Sequence, residues 1–168
     1  MNSPSLLESA RQSAVDALEP DDFEGTAYDD ITRMAAEVCQ APVAVITVID
    51  GGLQLFRSRI GTDVSERPRE LTFCTHALMD PEHITIVEDA SKDERFATNP
   101  VVVEAPKIRF YAGMPLLYQG HAVGTLCVFD VKPRRLGPGQ VEELRFLAKQ
   151  VMATLEERRR GRSSIAGG

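Results

Sequence analysis

The sequence predicts an α+β fold, with an antiparallel sheet flanked by helices, and three observations carry that expectation. First, Phe110 to Asp130 (FYAGMPLLYQGHAVGTLCVFD) is two β-prone apolar runs broken at Gln119-Gly120, the pattern of a hairpin. Second, both faces of its second run are apolar, with Val123, Thr125, Cys127 and Phe129 on one side and Ala122, Gly124, Leu126 and Val128 on the other. An antiparallel strand normally wets one face, so this pair requires cover on both sides: helices on one, a second layer or a pocket on the other. Third, helical stripes lie at both ends of the chain, as expected of a layered α+β domain.

In chain order, Ser5-Leu6-Leu7-Glu8 has the spacing of a capping box, and Leu7, Ala10, Ala14 and Leu18 form one helical stripe that Pro20-Asp21-Asp22 ends. Thr26 is the expected cap of a second helix, in which Ile31, Met34, Ala35 and Val38 recur at helical spacing to about Gln40. Val43 to Asp50 (VAVITVID) is a buried strand by its β-branched, apolar composition. The turn Asp50-Gly51-Gly52 leads into Leu53 to Ile60, a more polar strand expected nearer an edge, whose Arg57 and Arg59 read as solvated. Gly61 to Arg69 reads as a polar loop, Phe73 to Met79 as a short helix capped by Thr72, and Ile84 to Val87 as a short strand. Glu88 to Pro106 is a long polar loop with one helical turn at Asp93-Glu94-Arg95, and loops of this length are usually functional or disordered.

Within the hairpin, Gly113 and Gly124 point to close approach of another group, and Pro115 belongs at a bulge or an unpaired position. After the connector Pro133 to Gly139, Val141, Leu144, Ala148, Val151 and Leu155 repeat in steps of three and four. Leu147 and Met152 widen that stripe, which suits both core packing and a dimer seam. Arg158 to Arg160 and Arg162 suit a helix C-terminus, with solvated side chains. The expected organisation is an N-terminal helix over 1–20, one domain over 21–160 and a disordered tail over 161–168.

Composition narrows the function. The 168 residues carry a net charge of -6, which argues against a large nucleic-acid footprint. Cys39, Cys74 and Cys127 form no CxxC pair, which indicates a reducing compartment without a disulfide framework. Neither a membrane-length apolar run nor a secretion signal is evident, so the expected location is cytoplasmic.

Taken together, these pieces resemble a GAF domain over roughly Glu19 to Arg159. The matching stretches follow in family order: DDITRMAAEVCQAPVAVITVID, LQLFRSRIG, ELTFCTHAL, IVEDASKDERFATNPVV, IRFYAGMPL and GHAVGTLCVFDVKPRRLGPGQVEELRFLAKQV. The likeness is greatest to GAF domains that precede bacterial histidine kinases and diguanylate cyclases. It implies a GAF-like (PAS-like) six-stranded antiparallel sheet, helices packed on one face, a small-molecule pocket on the other, and signalling through terminal helices that often dimerise. The sequence departs from two subfamilies. It lacks an NKxnFxxxDE-like cyclic-nucleotide signature, and Lys107-Ile108-Arg109 stands where bilin-binding relatives carry a cysteine-histidine pair. No kinase, cyclase or helix-turn-helix segment follows, so the expected output partner is a separate signalling protein.

Candidate ligand-binding residues are Phe73, Cys74, His76, Asp89, Phe96, Asn99, Arg109 and Tyr111. Cys74 and His76 offer a thiol and an imidazole on the short helix; the bland alternative is a buried cysteine and a capped histidine. Asp89, Asp93, Arg95, Phe96 and Asn99 with Arg109 and Tyr111 offer charge and an aromatic plate to a polar ligand. Their bland alternative is a loop pinned by Asx caps, with Phe96 plugging the core. The expected function is a small-molecule-sensing or signalling module without catalytic activity. The alternative is an enzyme like the GAF-like group that reduces free methionine sulfoxide, with Cys74 as nucleophile and Cys127 or Cys39 resolving. The cysteine spacing does not match that group's pattern. No metal site is expected, and the sequence names no cofactor.

Overall fold

A computed structural model describes the backbone of residues 4–166 and the side chains of residues 6–161. Its centre is a six-stranded antiparallel sheet in the order β3-β2-β1-β6-β5-β4. The strands are β1 (Val43–Asp50), β2 (Leu53–Ile60), β3 (Glu66–Pro68), β4 (Thr85–Val87), β5 (Phe110–Tyr118) and β6 (His121–Asp130). The helices are α1 (Pro4–Asp16), α2 (Thr26–Cys39), α3 (Cys74–Met79), α4 (Pro100–Val103) and α5 (Pro138–Ala166). β1 and β6 occupy the middle because their residues are apolar on both faces, and only interior strands bury both.

One face of the sheet carries α1, α2 and α5. Ala44, Ile46, Val48, Phe110, Ala112, Leu116, Leu126 and Val128 meet Tyr28, Ile31, Ala35, Leu144, Val151 and Leu155 there. Leu144, Val151 and Leu155 are fully buried within the chain's own core, so the stripe read as a dimer seam is largely consumed internally. Phe146, with 57% of its surface exposed, and Met34 are left outside. The other face carries α3, α4 and the connecting loops, over Val45, Ile49, Phe56, Tyr111 and Cys127.

Several local expectations need correction. The region read as a polar loop contains β3, which adds to β2 through Leu53↔Pro68 and Leu55↔Glu66 and makes itself the edge in place of β2. Thr72 does not cap α3; Phe73 takes that position, while the Thr72 hydroxyl donates to Arg69 O. Gly25, at φ 118, stands before α2 where Thr26 was expected, since glycine reaches this conformation without strain. A bulge opposite Leu116/Leu117 leaves Val123 as the extra residue of β6. That bulge inverts the predicted facing of its neighbours: Val123 joins the helix-side core and Ala122 the opposite one, because one inserted residue flips the alternation. Pro115 is paired with Thr125, one residue short of this bulge, at a point where β4 has already ended opposite Gly113.

The arginines at the end of α5 are not simply solvated. Arg159 forms an ion pair of 2.7 Å with the fully buried Asp22, and the Arg158 guanidinium stands over the Tyr28 ring at 5.7 Å. Arg57 is likewise partly withdrawn, at the second bulge of the sheet, with its Nε buried and its guanidinium 6.0 Å from the Phe23 ring. The backbone of α5 runs helically through Ala166, into the stretch read as a tail; residues 167 and 168 lie outside the described residues. Ser5, read as part of a capping box, is described only in its backbone, and Glu8 turns instead to Arg11 and Arg69.

Candidate functional site

The face opposite the long helices is incompletely filled. Beneath α3 lies a small hollow of about 30 Å³, lined by Gln54, Phe56, Arg67, Leu71, Thr72, Phe73, Cys74, Val101, Ile108, Tyr111, Cys127 and Phe129. That is room for about two water molecules. The lining grades from partly exposed Arg67 and Leu71 to fully buried Cys74, Tyr111 and Cys127.

Its inner end is polar. β1 and β6 pair Thr47 with Thr125, and the two hydroxyls meet at 2.9 Å. Cys74, the first residue of α3, lowers its Sγ to 3.2 Å from Thr125 Oγ1 and 3.2 Å from Tyr111 Oη. Gln54 Nε2 donates to the same sulfur at 2.8 Å. Burial opposes ionisation of this thiol. Hydrogen bonds from Cys127, Thr125, Tyr111 and Thr47 together outweigh it and bring Cys74 down to about 7. Burial, and then the neighbouring Cys74 charge, push the Tyr111 phenol and the Cys127 thiol well above their ordinary values. Of the three groups, Cys74 alone is held below its ordinary value, by the donors that converge on its sulfur. Cys39 lies on the opposite face, where burial raises it to about 11.

Both hairpin glycines mark close approaches, as the sequence implied. A Cβ on Gly124 would stand 1.8 Å from Thr47 O, so the central strands meet there only without a side chain. A Cβ on Gly113 would fall 2.1 Å from Tyr111 Oη, so this glycine makes space for the phenol that reaches Cys74.

The candidate residues separate into three groups. Phe73, Cys74 and Tyr111 line the hollow. His76, Phe96 and Asn99 border a shallower cleft of about 180 Å³ with Arg69, Glu70, Thr72, Thr75 and Arg95. Phe96 is fully buried, 4.4 Å from the Phe73 ring and 4.7 Å from His76, and it separates hollow from cleft. Burial, and then the Arg95 cation, hold the His76 imidazole below its ordinary value. Asp89 and Arg109 line neither space. Asp89 accepts from Ser91 N at the start of a 3-10 turn, and Arg109 donates to Val102 O and Ile108 O. Asn99 also caps α4 by accepting from Val101 N. The long loop is thus pinned largely by its own polar side chains.

Sequence reading missed Thr47, Gln54, Arg67 and Thr125. A threonine in the middle of each central apolar strand was the available signal for two of them, since a buried hydroxyl needs a partner. Nothing local marked Gln54 or Arg67, because β3 was not recognised.

An antiparallel sheet with helices on one face and a lined hollow under loops on the other defines a layered α+β domain. The chain belongs to the GAF domain family, whose profile matches residues 24–155. It is 38% identical over 151 residues to a cyclic di-GMP phosphodiesterase of Pseudomonas aeruginosa, covering 88% of this chain and 26% of that protein. The chain therefore spans about a quarter of that relative. Among solved structures it is similar to the GAF domain of an Acinetobacter phosphoenolpyruvate-protein phosphotransferase, at 20% identity and a TM-score of 0.66, covering 95% of this chain and 96% of that one. It is also similar in fold to the free methionine-R-sulfoxide reductase of Neisseria meningitidis, at 15% identity and a TM-score of 0.67, covering 92% and 89% of the two chains.

Proposed function

We propose that this chain is a small-molecule-sensing signalling module without catalytic activity. The observation that carries the proposal is the hollow itself, together with what its rim is attached to. Arg67, Leu71 and Thr72 line the hollow, and Arg69 lies among them in sequence. Arg69 pairs with Glu8 of α1 at 2.6 Å and donates to Gly51 O. Glu8 also holds Arg11, whose guanidinium donates to Ile49 O at 2.8 Å. A ligand that shifts the 66–72 rim therefore pulls directly on the N-terminal helix, a short mechanical route of the kind a switch requires. The proposed output surface is the terminal helices, where Leu6, Leu7 and Phe146 are exposed, with Met34 of α2 beside Phe146, and the proposed partner there is a second copy of the chain. In a longer protein such as the Pseudomonas relative, this module would regulate a neighbouring domain; alone, it would act on a separate signalling protein. Among the described residues no helix is long and apolar enough to cross a membrane.

A second reading, an enzyme using Cys74, is favoured by the thiol lowered to about 7. Against it, Cys127 sits in the middle of a central strand with its thiol raised, a poor position for a mobile resolving residue.

Native mass spectrometry of gently purified protein, paired with a thermal-shift screen of small metabolites, tests the sensing proposal. A retained or stabilising ligand is expected, with no turnover of free methionine sulfoxide in the presence of a thiol reductant. Turnover that disappears in Cys74→Ser overturns it. Light scattering at micromolar concentration should give a dimer that Phe146→Ser converts to monomer.

A further inference from the structure

Arg67 is the single charged residue lining the hollow. It lies on the edge strand β3, opposite Gln54 in the β2 register, so the two side chains share a face. Most arginines around it are engaged. Arg11 and Arg69 hold Glu8, Arg95 holds Asp93, Arg109 holds backbone carbonyls and Arg159 holds Asp22. Arg67 has neither an ion pair nor a side-chain hydrogen bond among the described residues. It is nevertheless only partly exposed, and burial alone pulls its guanidinium down from the ordinary value, with no carboxylate nearby to offset that. A half-buried guanidinium at the rim of a cavity, without a protein partner, is available to pair with an anionic ligand.

The rest of the lining says what kind of anion fits. Beside Arg67, Gln54 and Thr72 offer polar groups. Phe56, Val101, Ile108 and Phe129 form apolar side walls, and the inner end at Cys74 and Tyr111 is polar. A guanidinium presents a planar fork that matches the two oxygens of a carboxylate, whereas the apolar walls leave a phosphate's other oxygens unsatisfied. The hollow limits the length of the tail, since about 30 Å³ holds only a few carbon atoms.

We propose that the hollow binds a short monocarboxylate, with its carboxylate on Arg67 and its alkyl end against the side walls at Phe56 and Ile108. This rests on the sensing reading and specifies its ligand class. An anion there completes the rim segment that Arg69 ties to α1, so occupancy is expected to stiffen the contact between rim and helix.

Isothermal titration calorimetry with acetate, propionate, butyrate, hexanoate, inorganic phosphate and neutral propionamide tests it on the whole chain. Propionate or butyrate should bind, while hexanoate, phosphate and propionamide bind at least ten-fold more weakly. Arg67→Gln should lose at least ten-fold in affinity, and Arg67→Lys, which keeps charge without the fork, should fall between. Arg67 has no internal partner, so circular dichroism and thermal midpoints of both variants should match the parent. Equal propionate binding by Arg67→Gln overturns the proposal, as does preferential binding of phosphate or of propionamide. If no carboxylate binds but native mass spectrometry finds a neutral molecule in the protein, the anion assignment falls and the sensing reading stands. If neither assay finds any ligand, both fall.

Discussion

The two faces of the sheet are built on opposite logics. Against the helices, Ile46, Phe110, Leu126 and Val128 meet Leu144, Val151 and Leu155 in an almost wholly apolar layer. Across the sheet, the same strands present Thr47, Thr125, Tyr111 and Cys127 to Cys74 and Gln54, with a hollow beside them. One side is a packed interior whose energy comes from burial. The other trades some of that burial for hydrogen bonds aimed at one sulfur and for unfilled space. Close packing and unfilled space are thereby placed on different sides of one sheet, joined by the shared strands and by the Glu8–Arg69 ion pair between α1 and the rim.

The largest effect should come where both faces share structure. Gly124→Ala puts a methyl 1.8 Å from the backbone oxygen of Thr47, which no side-chain adjustment relieves, and should cost about 4 kcal/mol or more in urea unfolding. A loss under 1 kcal/mol would show that β1 and β6 can move apart, and that the two faces do not depend on this close approach. Next, Leu155→Ala on the helix side should cost about 2–5 kcal/mol. Cys127→Ala, beside the hollow, should cost only about 1 kcal/mol, since the site is already loosely filled. Equal losses for the two would erase the distinction between the faces.

Thr125→Val sharpens the comparison at a stability cost of about 1 kcal/mol, since the buried Thr47 hydroxyl loses a partner. It removes a donor to Cys74, so the thiol should titrate above about 7, read as a rightward shift in the pH profile of Cys74 alkylation followed by mass spectrometry. An unmoved profile would mean the hydroxyl does not support the thiolate. The smallest effect concerns the rim. Hydrogen bonds from Arg69 and then Arg11 hold the Glu8 carboxyl down to about 2, against 4.5. Because the folded value is the lower one, this stabilisation is present above about pH 4.5 and is lost as pH falls toward 2. Glu8→Gln should therefore unfold more easily than the parent at neutral pH and converge with it in acid. Glu8 is partly exposed, so the difference should be modest.

Much of the fold was legible in the chain itself. Strand and helical patterns placed β1, β2, β5, β6 and α2 within a residue or two, and α5 except for its last turns, because each pattern reports how one element repeats against a core. The double-sided burial of the hairpin's second strand implied two covering layers, and both are present. β3 escaped because three residues of Glu, Arg and Pro on an edge carry no periodic signal. The facing of Ala122 and Val123 escaped because a bulge is set by pairing between strands, which a local pattern does not record.

The candidate site divides in the same way. Phe73, Cys74 and Tyr111 were each legible as candidates but not as one group, whereas Asp89 and Arg109 were indistinguishable in sequence from ligand contacts until their partners in the loop were seen. The order of apolar and polar residues along the chain determined which segments become strands and helices, since that order governs burial within each segment. Only the folded arrangement decided that the Cys74 sulfur would meet Gln54, Tyr111 and Thr125 from three strands, and that Arg67 would reach the hollow without a counter-charge. Those relations depend on distances between segments far apart in the chain, which sequence neighbours do not encode.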